Sequence, residues 1–376
     1  MGEWTFCVPC LFGVEGLAGE ELRRMEARDV RVENGRVWFS GGPELLARAN
    51  LRLRTGERVL LCLGRFPAAS FEALFQGVSA LPLEDWIPRD GRFPVKGHSL
   101  DSALHSVPDC QAIIKKAAAG RLGRKYGLQW LPETGALYQL QFAIRHDTAE
   151  IFLDTSGAGL PKRGYRAVGN EAPLRETLAA GLVTLARYRG KGIFADPFCG
   201  SGTIAIEAAL AARNQAPGLR RQFAAESWPA VPPAVWQRER EAARALEFRG
   251  EYRILASDVD PACVALAEAN ARKAGVDRLI RFSAADACRL ALPAEPGTLV
   301  SNPPYGERMM ERRQAQQLTE RLGRHLRELP AWKLGFLSAE PEFERYFGRR
   351  ADKRRKLYNG MIQCNFYQFL GEAVRR

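Results

Sequence analysis

The sequence predicts an α/β protein: a parallel sheet with helices on both faces, closed by an antiparallel hairpin and preceded by a differently built α+β region. Three observations carry this. Beyond about residue 176, apolar runs of strand length alternate with helical segments, the mark of a parallel sheet. That alternation ends in "KRRKLYNGMIQCNFYQF" (353–369), two strands around Asn359-Gly360, a hairpin signal. The first 160 residues mix strands, hairpins and helices without βαβ repetition.

Taken in order, "EWTFCVPCLF" (3–12) is an apolar run of strand length, and "VEGLAGEELRRMEARD" (14–29) has helical spacing. "VRVENGRVWFSGG" (30–42) gives two short strands around Asn34-Gly35. A helix over 43–53 and a strand over 57–64 follow, then a helix over 71–81 and a strand within 92–100. A long helix runs from about Pro108 to Tyr126. Residues 136–157 read as two strands with a tight turn at His146-Asp147. A Gly-rich junction, "SGAGLPKRGYRAVGNEAPLRE" (156–176), separates the halves. The next helix is expected from Ala172, with Pro173 near its start, where a missing N–H costs nothing. Strands are then expected in "GIFAD", "YRILASD", "LIRFSAAD", "GTLVSNP" and "WKLGFLS".

With 376 residues, 46% apolar and 26% charged, the chain has the composition of a globular protein of two or three domains. No apolar run approaches the length of a membrane span. The start lacks a basic stretch followed by a cleavable apolar segment, so a cytoplasmic protein is expected. Eight cysteines are too few for a disulfide scaffold. Cys7 and Cys10 have C-x-x-C spacing but no second pair to complete a zinc site, and they read as small apolar residues of a first strand.

The net charge is +12 and the pI about 9.5, which points to an acidic partner such as nucleic acid. Residues 1–160 hold 19 Lys+Arg and 19 Asp+Glu, so the whole excess lies in 161–376. Within the neutral half, "QAIIKKAAAGRLGRKYGLQW" (111–130) carries five positive charges and no negative one. Lys115, Lys116, Arg121, Arg124 and Lys125 are therefore candidate phosphate contacts, against the alternative of a solvated helix face. The clusters "ERRQAQQLTERLGRHLRE" (311–328) and "RRADKRRKLYN" (349–359) are further candidates. The second of these can also guard an edge strand.

The chemistry concentrates after strand ends. "DPFCGSGTIAIEAALAA" (196–212) places Gly200 and Gly202 between a strand and an apolar helix. There the backbone can turn tightly and a ligand can approach free N–H groups. Gly200, Gly202 and Ala205 also match a dinucleotide-binding pattern. The next strand ends in "ASDVDP", where Asp258 is the candidate partner for ribose hydroxyls. Asp260 is the weaker candidate and can instead cap the following helix. The gap from Gly202 to Asp258, filled partly by an insert at 213–241, is far longer than the usual roughly 20 residues. Asp286 ends the third strand, where it can meet an adenine amino group or simply be a solvated turn residue. The fourth strand delivers Asn302-Pro303-Pro304-Tyr305. An amide oxygen and a carbonyl freed by a proline can accept from a planar –NH2, and a ring beside them can stack on its base. Attack by such an amine on a sulfonium methyl needs alignment and a proton sink rather than a strong base.

"DPFCGSG", "SDVDP" and "NPPY", in that order, resemble the class I S-adenosylmethionine-dependent amino-methyltransferases. "LHSVPDCQAIIKKA", "LDTSGAGLPKRGYR" and "APLRETLAAGLV" extend this to nearly the whole chain. They are similar to the THUMP-containing RNA guanine-N2 methyltransferases, which include bacterial 23S ribosomal RNA enzymes. The resemblance implies a Rossmann-like class I catalytic domain at 161–376, its seven-stranded sheet ending in the antiparallel hairpin. It also implies a ferredoxin-like plus THUMP RNA-binding region at 1–160, with THUMP at about 43–155. Residue by residue, Asp196, Pro197, Cys199, Gly200 and Gly202 would hold the methionine side of S-adenosyl-L-methionine. Asp258 would hold its ribose and Asp286 its adenine, with Asn302 beside the cofactor. Asn302, Pro303 and Tyr305 would hold the target amine, and Lys162, Arg163 and Arg166 would meet phosphates at the entrance. An insert after the first helix is also found in the family.

The expected activity is methylation of the exocyclic N2 of a guanosine in structured RNA. Ribosomal RNA is the first expected partner and transfer RNA the second, with neither metal nor membrane. The alternatives are a DNA-adenine or protein-glutamine methyltransferase, a non-catalytic RNA-binding protein on a relict fold, and a nucleotide-dependent dehydrogenase.

Overall fold

The computed structural model describes residues 3–166, 174–305, 309–327, 329 and 331–371, and the chain divides into two units. The first takes in the described residues up to Pro9, then Gly19–Leu160 and Arg221–Ala242. The second takes in Cys10–Ala18, Pro161–Arg220 and the chain from Ala243 on.

In chain order the elements before the junction are β1 (Trp4–Pro9), α1 (Glu15–Arg24), β2 (Arg28–Glu33), β3 (Arg36–Gly41), α2 (Pro43–Arg52) and β4 (Leu60–Pro67). There follow α3 (Phe71–Ala80), β5 (Val95–Leu100), α4 (Val107–Tyr126), β6 (Leu140–Arg145) and β7 (Thr148–Asp154). The seven strands form one sheet in the order β2-β3-β1-β4-β7-β6-β5. The turn between β6 and β7 holds both His146 and Asp147 at positive φ, +47° and +55°, as a tight two-residue hairpin turn demands. β5 and β6 pair in parallel, with α4 as their crossover. Helix α4 carries a proline in its first turn and stops at Gly127, whose left-handed φ of +65° ends the helix without strain. Cys7 is buried in the core beside Trp38, Leu60, Ala143 and Phe152.

The segment 221–242 lies in the middle of the second half of the chain yet belongs to the first unit. The Trp228 ring stacks on Tyr138 with centroids 5.0 Å apart, and its Nε1–H donates to the carbonyl of Leu137 at 2.9 Å. The Arg48 fork closes on both carboxylate oxygens of Glu239, at 2.9 and 2.8 Å.

The remaining elements are α5 (Glu176–Leu185), β8 (Ile193–Asp196), α6 (Thr203–Ala212), α7 (Pro233–Ala245), β9 (Arg253–Asp258), α8 (Pro261–Ala274) and β10 (Ile280–Ala284). Then come β11 (Gly297–Ser301), α9 (Met309–Leu326), β12 (Lys333–Ser338), α10 (Phe343–Phe347), β13 (Lys353–Asn359) and β14 (Ile362–Phe369). The helix expected from Ala172 is α5; Ala172 and Pro173 lie outside the described residues.

The second sheet has the order β10-β9-β8-β11-β12-β14-β13. Strands β10 to β12 pair in parallel, while β14 runs antiparallel to β12 and β13 antiparallel to β14. Every residue of β8 and β11 is buried, as expected of central parallel strands covered on both faces. Their apolar side chains meet Trp332, Phe336, Phe343 and Tyr367 in one core. The strand order reverses between β8 and β11, and the crevice outside the carboxyl ends of such a pair is where open α/β sheets bind ligands. Strand β13 is the sheet edge, and its Lys353, Arg354, Arg355 and Lys356 are exposed, which suits edge protection. No helix among the described residues is long and apolar enough to cross a membrane.

Candidate active site

A cleft of about 1240 Å3 opens at this switch point in the second unit. It is lined by residues after β8, β9, β10 and β11 and by one face of α9. Asp196, Pro197, Cys199, Gly200, Asp258, Asp286, Asn302, Pro303 and Tyr305 all line it. These come from the carboxyl ends of four strands and the turns that follow them.

The glycine loop is pinned from several sides. Gly200 and Gly202 have φ of +50° and +82°, conformations that side chains rarely adopt. At Gly202 a Cβ would stand 2.9 Å from the Cβ of Ala267 in α8, so this glycine does not line the cleft but lets α8 pack close to the loop. Asn270 of α8 donates Nδ2–H to the carbonyl of Ser201 at 2.9 Å, and the Cys199 N–H donates to Ser257 at 2.9 Å. Asp258 accepts the Gly200 N–H at 3.0 Å through Oδ2 and the Asp260 N–H at 3.1 Å through Oδ1. Asp260 accepts from the Ala262 N–H at 2.8 Å, so it caps α8.

Asp196 is buried at the end of β8. Its Oδ1 accepts from the Ser301 hydroxyl at 2.5 Å. Burial pushes its carboxyl up to about 7 despite that hydrogen bond. The other oxygen, Oδ2, is buried with no hydrogen-bond partner among the described residues, and so is the Asn302 amide oxygen. Buried acceptors without partners are costly. Two of them lining one cleft fit a ligand that brings donors or positive charge. Asp286 accepts from the Cys288 N–H and from Arg321, each at 2.9 Å. Tyr305 accepts from Asn359 Nδ2–H at 3.1 Å, which fixes the phenol at the cleft rim.

Two contributions escape a reading of motifs. Asn359 looks like half of a turn, yet it lines the cleft and holds Tyr305. Glu311, Gln314, Leu318 and Arg321 of α9 also line the cleft. Their helical spacing is visible in sequence, but nothing local says what that face meets.

Of the expected phosphate contacts, one is buried and two are paired with acids of the chain. Lys115 reaches Glu133 at 2.5 Å and stands 3.5 Å from the Phe93 ring centre. Arg121 forks onto Glu84 at 2.9 and 2.5 Å, holding that carboxyl down at about 2. Both cations are committed to acids of their own chain. Arg163 is buried, 3.5 Å from Glu207, so it is not presented to a phosphate. Lys116, Arg124, Lys125 and Lys162 are exposed, with Lys125 3.9 Å from Glu84. Arg166 donates to Thr203 Oγ1 at 2.9 Å and lies 3.5 Å from Glu176, bracing the first turn of α6. In the 311–328 cluster, Arg312 forks onto Glu340 at 3.0 and 3.3 Å. Among the described residues, no group of three or more His, Cys, Asp or Glu is placed to hold a metal ion.

The family model described as RMKL-like methyltransferase domain matches residues 163–368. That of the RlmL ferredoxin-like domain matches 5–60, and that of the THUMP domain matches 68–154. The chain is 40% identical over 372 residues to the putative RNA methyltransferase YpsC of Bacillus subtilis, covering 98% of this chain and 96% of that protein. It is 33% identical over 375 residues to the ribosomal RNA large subunit methyltransferase K/L of Shewanella baltica, covering 97% of this chain and 53% of that protein. The chain thus spans about half the length of that relative. Among solved structures, a predicted N6-adenine-specific DNA methylase from Listeria monocytogenes superposes with a TM-score of 0.94 at 41% identity, covering 99% of this chain and 97% of that one. SMU.472, a putative methyltransferase complexed with SAH, does so with a TM-score of 0.94 at 38% identity, covering 99% of both chains.

Proposed function

The chain belongs to the RMKL-like methyltransferase family, and from that premise we propose that it methylates the exocyclic N2 of a guanosine in structured RNA of the large ribosomal subunit. The methyl donor is S-adenosyl-L-methionine. When bound, it supplies a sulfonium methyl carbon open to attack by a nitrogen lone pair. Asp196 and the loop of Pro197, Cys199 and Gly200 would hold its methionine part, positioned by Gly202; Asp258 would hold its ribose and Asp286 its adenine.

The guanine N2 lone pair is delocalised into the ring, so this amine is a weak nucleophile. Asn302 Oδ1 and the carbonyl of Pro303 would each accept one of its N–H bonds. That aligns the nitrogen and draws density from the N–H bonds toward the lone pair. The amine must lose one proton on methylation; Asn302 Oδ1 would hydrogen-bond that N–H while the proton leaves to solvent, so no strong base is needed. Tyr305, held by Asn359, would stack on the base. The single observation that carries this reading is the unpartnered, buried Asn302 amide oxygen lining the cleft. We also read residues 1–160 as the RNA-docking part, which the THUMP match at 68–154 supports; the excess positive charge lies in residues 161–376.

A second reading, transfer to an adenine amine in DNA, is favoured by the Asn302–Tyr305 quartet, which presents equally well to either amine, and by the description of the Listeria protein. The test is transfer of labelled methyl to undermodified ribosomal RNA, transfer RNA, DNA and peptide, followed by nucleoside analysis. Label in N2-methylguanosine of ribosomal RNA is expected. Label only in DNA or peptide would overturn the proposal.

A further inference from the structure

The tip of the β13–β14 hairpin carries more than the anchor of Tyr305. Tyr358 and Asn359 are neighbours in β13 and so point to opposite faces of the sheet. Asn359 turns to the cleft. Tyr358 meets Phe12 edge to face, with centroids 6.1 Å apart. Phe12 is 56% exposed, and Met361 at the hairpin tip is 98% exposed. Large apolar side chains so open to water invite a function when they cluster beside a site.

The cluster is held in place. Gly13 adopts a φ of +92°, and a Cβ there would stand 2.8 Å from Leu357 Cδ2, so the backbone after Phe12 lies hard against β13. Arg355 donates to the Gly13 carbonyl at 3.0 Å. The Lys356 ammonium lies 5.5 Å from the Tyr358 ring centre. The hairpin end therefore carries a π-face, a thioether and a cation within three residues of Asn359, which lines the cleft.

We propose that Phe12, Tyr358 and Met361 form a stacking platform for an unpaired nucleotide flanking the target base, with Lys356, on the Tyr358 face, meeting its phosphates. This rests on the RNA reading above. A base drawn out of its stack exposes its neighbours. Aromatic faces with interleaved cations hold such single strands with little regard to sequence. The positive charge of the edge strand and its continuity with Tyr305 through Asn359 favour this occupant over an apolar protein surface.

The experiment compares the full-length chain with Phe12→Ala, Met361→Ala and the double variant; both residues are exposed, so truncation removes little packing. Binding is measured for a labelled single-stranded RNA of about 12 nucleotides, a length within the range of such sites, and for a duplex RNA. Affinity for S-adenosylhomocysteine and methyl transfer to undermodified ribosomal RNA are measured alongside. The double variant is expected to bind single-stranded RNA about tenfold more weakly, the scale of one lost stack. Duplex and S-adenosylhomocysteine affinities should hold. Unchanged single-strand binding in the double variant, while the unaltered chain methylates RNA, would overturn the platform and leave the RNA reading intact. Methylation of DNA or peptide alone by the unaltered chain would overturn both.

Discussion

The Ser301 hydroxyl, last in β11, donates to Asp196 Oδ1, last in β8, across 2.5 Å. This bond joins the two strands between which the sheet order reverses, and it holds one oxygen of a buried acid while the other has no partner among the described residues.

That acid makes stability pH-dependent. Burial raises the Asp196 carboxyl to about 7 from an ordinary value near 4. The folded chain therefore holds a proton that the unfolded chain releases, and stability from this group falls as pH rises from about 4 through 7. Asp196→Asn is expected to flatten the decline in urea midpoint across that window. Ser301→Ala, which removes a bond favouring the charged form, should extend the decline to higher pH, with its onset near 4 unchanged. An equally steep decline in Asp196→Asn would assign the dependence to another group.

Asn302→Ala should lower turnover by about 100-fold or more, the scale seen when one preorganised polar contact to a reacting group is removed. S-adenosylhomocysteine affinity, measured by calorimetry, should change little. A large loss of cofactor affinity instead would mean that Asn302 serves the donor rather than the acceptor.

Asp258 ties the glycine loop to the end of β9 through the Gly200 N–H. Asp258→Ala should weaken cofactor binding by about 10- to 100-fold, because charge-assisted hydrogen bonds contribute about 1.5–3 kcal/mol. Turnover at saturating cofactor should fall much less. Undiminished cofactor affinity would remove this residue from the site.

Gly202→Ala places a Cβ 2.9 Å from that of Ala267 at a φ of +82°. Both effects oppose the fold, and a loss of about 2 kcal/mol is expected. The check is a lower urea midpoint together with weaker cofactor binding, since α8 also holds Ser201 in place through Asn270.

In the first unit, Glu239→Ala leaves the Arg48 fork without its main partner. The expected loss is about 2 kcal/mol of stability, read as a lower unfolding midpoint, with S-adenosylhomocysteine affinity unchanged.

Much of this candidate site is legible in the sequence. Asp196 and Asp258 end their strands, and Gly200, Asp286 and Asn302 lie in turns just past one; strands and turns leave local signatures in apolar runs, glycines and prolines. The parallel sheet and its closing hairpin follow from the same local rules, as does the turn at His146-Asp147. Remote partners are not written in the sequence. Arg121 is claimed by Glu84, 37 residues away, and Arg163 by Glu207, 44 residues away. Counting charges along a helix cannot say which are already neutralised.

By itself the sequence determined the alternation of strands and helices that makes the parallel sheet, its closing hairpin, and the turns that line the cleft. The tertiary structure decided the rest: Asn359 supports Tyr305 from 54 positions away, residues 221–242 pack with the first unit, and a face of α9 lines the cleft. Periodicity and turn chemistry act over a few residues and are written locally. Ion pairs, close backbone approaches and shared clefts depend on distances that exist only once the chain has folded.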